Sequence, residues 1–209
     1  MVERHSITNV IALRAFVRQL LRQAATLFSV RKVHADFQSR GIGVSKETLL
    51  AMLAHLEDAF LIFTLPVASR SERRQQVNPR KLYLADHGLA QAFSPATGLD
   101  RGRLIENLVA CELMRDSRDL AYVKTKDGHE VDFLSTAYDG TECLVQVASD
   151  ISESATFDRE LRALTGAAME FPRAEKLLLT ETDPPRNASV PDGIRVMPVW
   201  RWLLDNAVS

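Results

Sequence analysis

The chain has 209 residues, of which 46% are hydrophobic and 25% charged, with a formal net charge of −1. This is the composition of a folded globular protein, which excludes a disordered, collagen-like or coiled-coil chain, and the length suits one large domain or two small ones. The near-zero total hides a division: residues 1–78 hold 11 Lys and Arg against 6 Asp and Glu, a balance of +5, and the remainder carries −6. Two modules with unlike surfaces are therefore predicted.

No stretch approaches the roughly 18 unbroken apolar residues of a membrane span, and the opening residues lack the apolar core of a signal peptide. A cytoplasmic protein without a membrane partner is expected. The two cysteines, Cys111 and Cys143, each lie in an apolar run, where a thiol behaves as a small buried hydrophobe.

From Asn9 to Ala25, Val10, Leu13, Val17, Leu20, Leu21 and Ala24 recur at helical spacing, with Arg14, Arg18 and Arg22 along the polar side. A second helix is predicted over Lys32–Ser39, ended by Gly41 and Gly43. Ser45 caps a third, whose apolar side is Leu49, Met52, Leu53 and Leu56. Phe60–Val67 and Lys81–Ala85 read as strands around the polar run Ala68–Asn78. Three helices and two strands around a polar loop is the order of a winged helix-turn-helix, placed at residues 1–95.

The loop Ser94–Gly98 marks the boundary, and a second domain is placed at residues 96–209. Asp100 caps a helix from Arg101 to about Arg115. Strands follow at Leu120–Thr125, Glu130–Ala137 and Glu142–Ala148, then a helix through Phe157, Leu161, Leu164 and Ala168. Strands at Lys176–Thr180 and Ile194–Val199 precede a closing helix from Trp200. The fold class is α+β with an α/β second domain built on a small mixed sheet.

No G-x-x-x-x-G-K-[ST] loop occurs, and no G-x-G-x-x-G follows a strand. His5, His34, His55, His87 and His129 have no ligand spacing, which argues against structural zinc. The acids of the second domain are more telling. Glu130 and Asp132 share one face of a strand because side chains alternate with period two. On the helix, Glu112 falls within the stripe of Ile105, Leu108 and Val109, with Glu106 on its flank. A carboxylate turned toward a core is costly unless paired or functional.

Gln76-Val77-Asn78-Pro79-Arg80-Lys81-Leu82-Tyr83, Asp86-His87-Gly88-Leu89, Ile105-Glu106-Asn107-Leu108-Val109 with Glu112-Leu113, Lys124-Thr125-Lys126-Asp127-Gly128 and Glu130-Val131-Asp132-Phe133 follow one another in order. Together they resemble the C-terminal part of prokaryotic AAA-type ATPases. There an N-terminal P-loop domain precedes a winged helix and a C-terminal domain of unknown function with a PD-(D/E)XK nuclease-like fold.

The resemblance implies that a helix Glu, a strand Asp and a (D/E)-x-K pair would hold Mg2+ and activate water. By position Glu106 and Asp132 match the first two, while Gln146 and Ala148 stand where the acid and the lysine belong. The site is expected to be degenerate, with Glu106 and Asp132 as its only metal ligands and Lys124 or Lys126 as the one substitute for the lysine.

The third helix shows Glu47, Ala51, Ala54, His55 and Asp58 outward, with Lys46 at its start, and so lacks the cations of a base-reading helix. Nucleic-acid contact is assigned instead to Arg70, Arg73 and Arg74 in the wing, to Lys46, and to Arg14, Arg18 and Arg22. The partner is expected to be the DNA backbone or an acidic protein surface. The resemblance adds a P-loop ATPase domain, to which ATP would belong. The function expected is a non-catalytic module of such an ATPase. An active Mg-dependent DNA nuclease and a sequence-specific transcription regulator are the other two readings. Because no phosphate loop with its lysine is present, titration of the chain with labelled ATP is expected to show no micromolar binding.

Overall fold

The computed structural model describes residues 9–69, 71–86, 88–89, 100–149, 151, 154–184 and 189–207. They form two units: 1–65 with 79–99, and 66–78 with 100–209.

The first unit runs α1 (Val10–Leu21), β1 (Thr26–Phe28), α2 (Val30–Ser39), α3 (Lys46–Asp58), β2 (Ile62–Leu65) and β3 (Arg80–Leu84). The three strands pair antiparallel in the order β1-β3-β2, with Thr26 opposite Leu82 and Ile62 opposite Leu84. Asn9 and Ser45 cap α1 and α3 by accepting the amide hydrogens of Ala12 and Thr48, which satisfies donors that helix starts otherwise leave unpaired. The Asn9 amide also donates to the Gly43 carbonyl at 3.0 Å, tying the start of α1 to the turn before α3. α1 buries Leu13, Phe16 and Leu20, and Val17 is only half-buried. The Phe16 ring lies 6.3 Å from Phe28 and 6.4 Å, edge-on, from Phe37, so one aromatic joins α1 to β1 and α2.

The second unit contains α4 (Glu72–Val77), α5 (Arg101–Asp116), β4 (Asp119–Lys124), β5 (Glu130–Thr136), β6 (Glu142–Ala148), α6 (Ser154–Glu170), β7 (Glu175–Thr180), β8 (Ile194–Pro198) and α7 (Val199–Ala207). Its sheet has the order β4-β5-β6-β7-β8, antiparallel over the first three strands and parallel over the last three. β5 is buried at every position from Val131 to Ser135, because helices cover both faces of the sheet. On the α6 face, Leu134, Leu144, Ala148 and Leu178 pack against Phe157, Leu161, Leu164 and Ala167. Asp100 caps α5 by accepting from the Gly102 amide. A Cβ at Gly102 would stand 2.9 Å from the Ser149 hydroxyl, so glycine lets the first turn of α5 lie against the end of β6.

Two differences from the sequence reading concern the polar run between β2 and β3. It contains the helix α4, capped by the Ser71 hydroxyl, because Glu72-Arg73-Arg74-Gln75-Gln76 is a good helix-forming string once a serine precedes it. Moreover Pro66–Asn78, placed within residues 1–95 by sequence, packs in the second unit. Val67 forms a parallel bridge with Tyr122 on β4, and the Ala68 amide donates to the Tyr122 carbonyl at 2.7 Å. The loop Ser94–Gly98, and with it the boundary at 95, lies outside the described residues.

α3 ends in a left-handed turn, in which the Leu61 amide reaches back to the Leu56 carbonyl while Phe60 sits at φ +52°. That position favours glycine, and a bulky residue there costs on the order of 1–2 kcal/mol. The Phe60 ring is 83% exposed and returns little burial. Phe60→Gly is therefore expected to stabilise the first unit by about 1 kcal/mol, read as a raised midpoint in urea unfolding, whereas an unchanged or lower midpoint would show that the ring does more than the backbone strain.

Candidate functional site

Where the sequence reading places acids on β5 and β6, the structure forms one continuous hydrogen-bonded chain. The β5–β6 ladder is regular from Thr136 opposite Glu142 to Phe133 opposite Val145. Beyond it, side chains take over from main chain. The Val147 amide donates to Asp132 Oδ2 at 3.0 Å, and the Asp132 amide donates to Gln146 Oε1 at 3.1 Å. Gln146 Nε2 then donates to Glu160 Oε2 on α6 at 2.8 Å. Arg159 closes the chain, its guanidinium reaching Glu160 Oε1 at 2.6 and 3.0 Å.

Asp132, Gln146 and Glu160 are 7%, 7% and 8% exposed, so these bonds form in a medium where an unmade one is expensive. The hydrogen bond to Glu160 is the main reason that Arg159 is held above the ordinary guanidinium pKa, and the carboxylate charge adds to it. Gln146 is the hinge of the arrangement. A neutral amide has both an acceptor and donors, so it serves the Asp132 amide on one side and the Glu160 carboxylate on the other. A glutamate in its place would set a second negative charge against Glu160.

Glu160 was not among the residues singled out by sequence. Its signal was available, since Phe157, Leu161 and Leu164 place Glu160 beside the apolar side of its helix. Ala148 is buried among Val131, Leu144 and Leu161 and carries no charge toward Asp132. Lys124 and Lys126, the substitutes for the missing lysine, are exposed.

α5 buries more than the stripe read from the sequence. Its buried side is Val109, Ala110 and Leu113 with Asn107, and Glu106, three residues before Val109, is half-buried on that line. Glu112 is half-buried too, its side chain 18% exposed, and it pairs with Arg115 at 2.9 Å. Ile105 and Leu108, on the predicted stripe, are half-buried.

A magnesium centre needs several hard oxygen ligands with lone pairs turned to one point. Among the described residues no three His, Cys, Asp or Glu side chains are grouped to hold a metal ion. Asp132 Oδ2 and both Glu160 oxygens accept internal hydrogen bonds, and Gln146 spends its oxygen on a main-chain amide. With its Oδ2 engaged, Asp132 does not offer the free oxygens of a metal centre, and no catalytic step is derived through a metal.

The wing assignment also changes. Arg70 lies outside the described residues, and Arg73 is exposed on α4. Arg74 donates to the Lys124 carbonyl at 3.4 Å, which anchors α4 beside β4. Lys46, Arg14, Arg18 and Arg22 are exposed, as expected. Among the described residues no helix is long and apolar enough to cross a membrane.

Removing the hinge should be costly. Gln146→Ala removes the acceptor of the Asp132 amide and the donor to Glu160 Oε2, and a loss of about 2–4 kcal/mol is expected from these two buried groups. Gln146→Glu should also destabilise, because it replaces the donor to Glu160 with a second buried carboxylate. Denaturant unfolding of both variants checks this.

A curated relative, an uncharacterized protein of Methanocaldococcus jannaschii, is 30% identical over 213 aligned residues, covering 97% of this chain and 46% of its own length. The chain thus spans about half the length of the curated relative it matches. No solved structure matches the chain. Residues 1–101 match the family model of a domain of unknown function, DUF8612, and residues 101–202 match that of a second domain of unknown function, DUF4143.

Proposed function

We propose that this chain is the non-catalytic C-terminal module of a cytoplasmic AAA-type P-loop ATPase, a winged helix followed by a nuclease-like domain whose active site has become a structural clasp. It docks on a DNA backbone or an acidic protein surface. The observation that carries this reading is the closed chain of hydrogen bonds through Asp132, Gln146 and Glu160. Metal-assisted phosphodiester cleavage needs free carboxylate oxygens and a cation near the attacking water. Here the carboxylates are engaged, and an alanine stands where the lysine would.

Three further features support the reading. The order of helices and strands in the first unit is that of a winged helix. The position of Asp132 and Gln146, on neighbouring strands where the ladder ends, is where nuclease-like folds gather their acids. The curated relative is about twice as long as this chain, which leaves room in that protein for a domain of ATPase size.

The test is nicking of supercoiled plasmid by the chain with magnesium or manganese, with Asp132→Ala as control. No metal-dependent nicking is expected from either protein. Cleavage by the unmodified chain that disappears in the control would overturn the non-catalytic reading.

A further inference from the structure

The charge of the first unit is unevenly spread. Residues 9–45 hold six Arg and Lys against the single Asp36, whereas α3 carries Lys46 against Glu47, Glu57 and Asp58. Within the positive part, Arg14, Arg18 and Arg22 follow one another at i, i+4 along one side of α1, a helix without an acidic residue. All three are exposed. Eight residues at 1.5 Å rise set them along roughly 12 Å.

Five other arginines are paired: Arg40 with Asp36, Arg101 with Glu181, Arg115 with Glu112, Arg118 with Asp119 and Arg159 with Glu160. Among the described residues the side chains of Arg14, Arg18 and Arg22 have neither an ion pair nor a hydrogen bond. Three unneutralised guanidinium groups in a row repel one another, and the chain places no acid between them.

The face fits one class of partner better than another. Protein interfaces concentrate apolar residues at their centre and deplete charge there. This stripe has one exposed apolar residue, Ile11, at its end, and arginines along the rest. Nucleic-acid interfaces are polar, wet and rich in cations, and the planar guanidinium matches the phosphate fork. The third helix is unsuited to the same partner. Glu47 in its first turn is kept ionised by hydrogen bonds from the main chain and from Ser45, and Asp58 is exposed at its far end.

We propose that the exposed arginine stripe of α1 is a sequence-independent contact surface for the phosphate backbone of duplex DNA, and that α3 contributes no base readout. This rests on the docking reading given above and narrows it to one partner and one face.

The experiment is fluorescence anisotropy of the full chain with two labelled duplexes of unrelated sequence, across a salt series, for the unmodified protein and for the triple variant Arg14→Gln, Arg18→Gln, Arg22→Gln. Three phosphate contacts correspond to a salt slope of about 2.7, so between roughly 50 and 200 mM salt the unmodified chain should lose about 40-fold more affinity than the variant. The loss caused by the substitutions should be the same for both duplexes.

If the unmodified chain binds duplex and the variant keeps its affinity and salt slope, the stripe is not the contact surface, while the docking reading survives. If no duplex binds but polyglutamate does, the DNA assignment is overturned in favour of an acidic protein partner. Binding of neither polyanion overturns both readings. Circular dichroism confirms that the variant is folded. Should it not be, Arg18→Glu alone must weaken duplex binding or the proposal fails.

Discussion

Burying a carboxylate beside the central strand of a sheet is tolerable only when its oxygens find donors, and the second unit is arranged around that requirement. Asp132 meets it with the Val147 amide, and in return its own amide needs an acceptor, which Gln146 supplies. Gln146 has donors left over, and they select the position of Glu160 and hence the rotation of α6 on the sheet. Arg159 brings the charge balance to the rim, where it is 67% exposed and cheap to hydrate. Each group is fixed by the one before it, so the place of α6 follows from polar bookkeeping as much as from the apolar contacts of Phe157 and Leu161.

The same arrangement suits an alanine at position 148. Ala148 is 5% exposed within the apolar cluster between β6 and α6. A lysine there would either push α6 away or leave an ammonium group among leucines. The alanine at 148 and the close seat of α6 on the sheet are thus one structural fact.

The regular elements were legible because their signals are local. Ser45 and Asp100 mark helix starts through one hydroxyl and one carboxylate, and the alternation of β6 sets Glu142–Ala148 at its observed limits. β1 escaped because three residues, Thr26–Phe28, carry too little pattern, and its pairing with β3 is made 54 or so residues away along the chain. α4 escaped because a string of polar residues has no periodicity to read, although its cap and propensity were present. Of the candidate site, Asp132 was visible as a match to a resembling motif and Gln146 as a departure from it. Glu160 was not, since a glutamate beside an apolar stripe looks like ordinary helix surface until the strand facing it is known. That α5 buries Asn107 and Ala110 along with Val109 and Leu113 depends on packing that no spacing rule contains.

The two family models divide the chain at residue 101, but the fold is interleaved: Pro66–Asn78 leaves the first unit between two of its paired strands and joins the second before the chain returns. Neither unit is therefore a contiguous stretch of gene. A truncation after residue 99 would carry away a thirteen-residue piece of its neighbour, with Val67 deprived of Tyr122, and the other fragment would begin with a bare outer edge on β4. A single backbone break in 90–99 would leave two fragments still associated through that exchanged piece, as in a split protein that complements itself. Recombination that exchanges one half without the other separates Val67 from its bridge partner Tyr122.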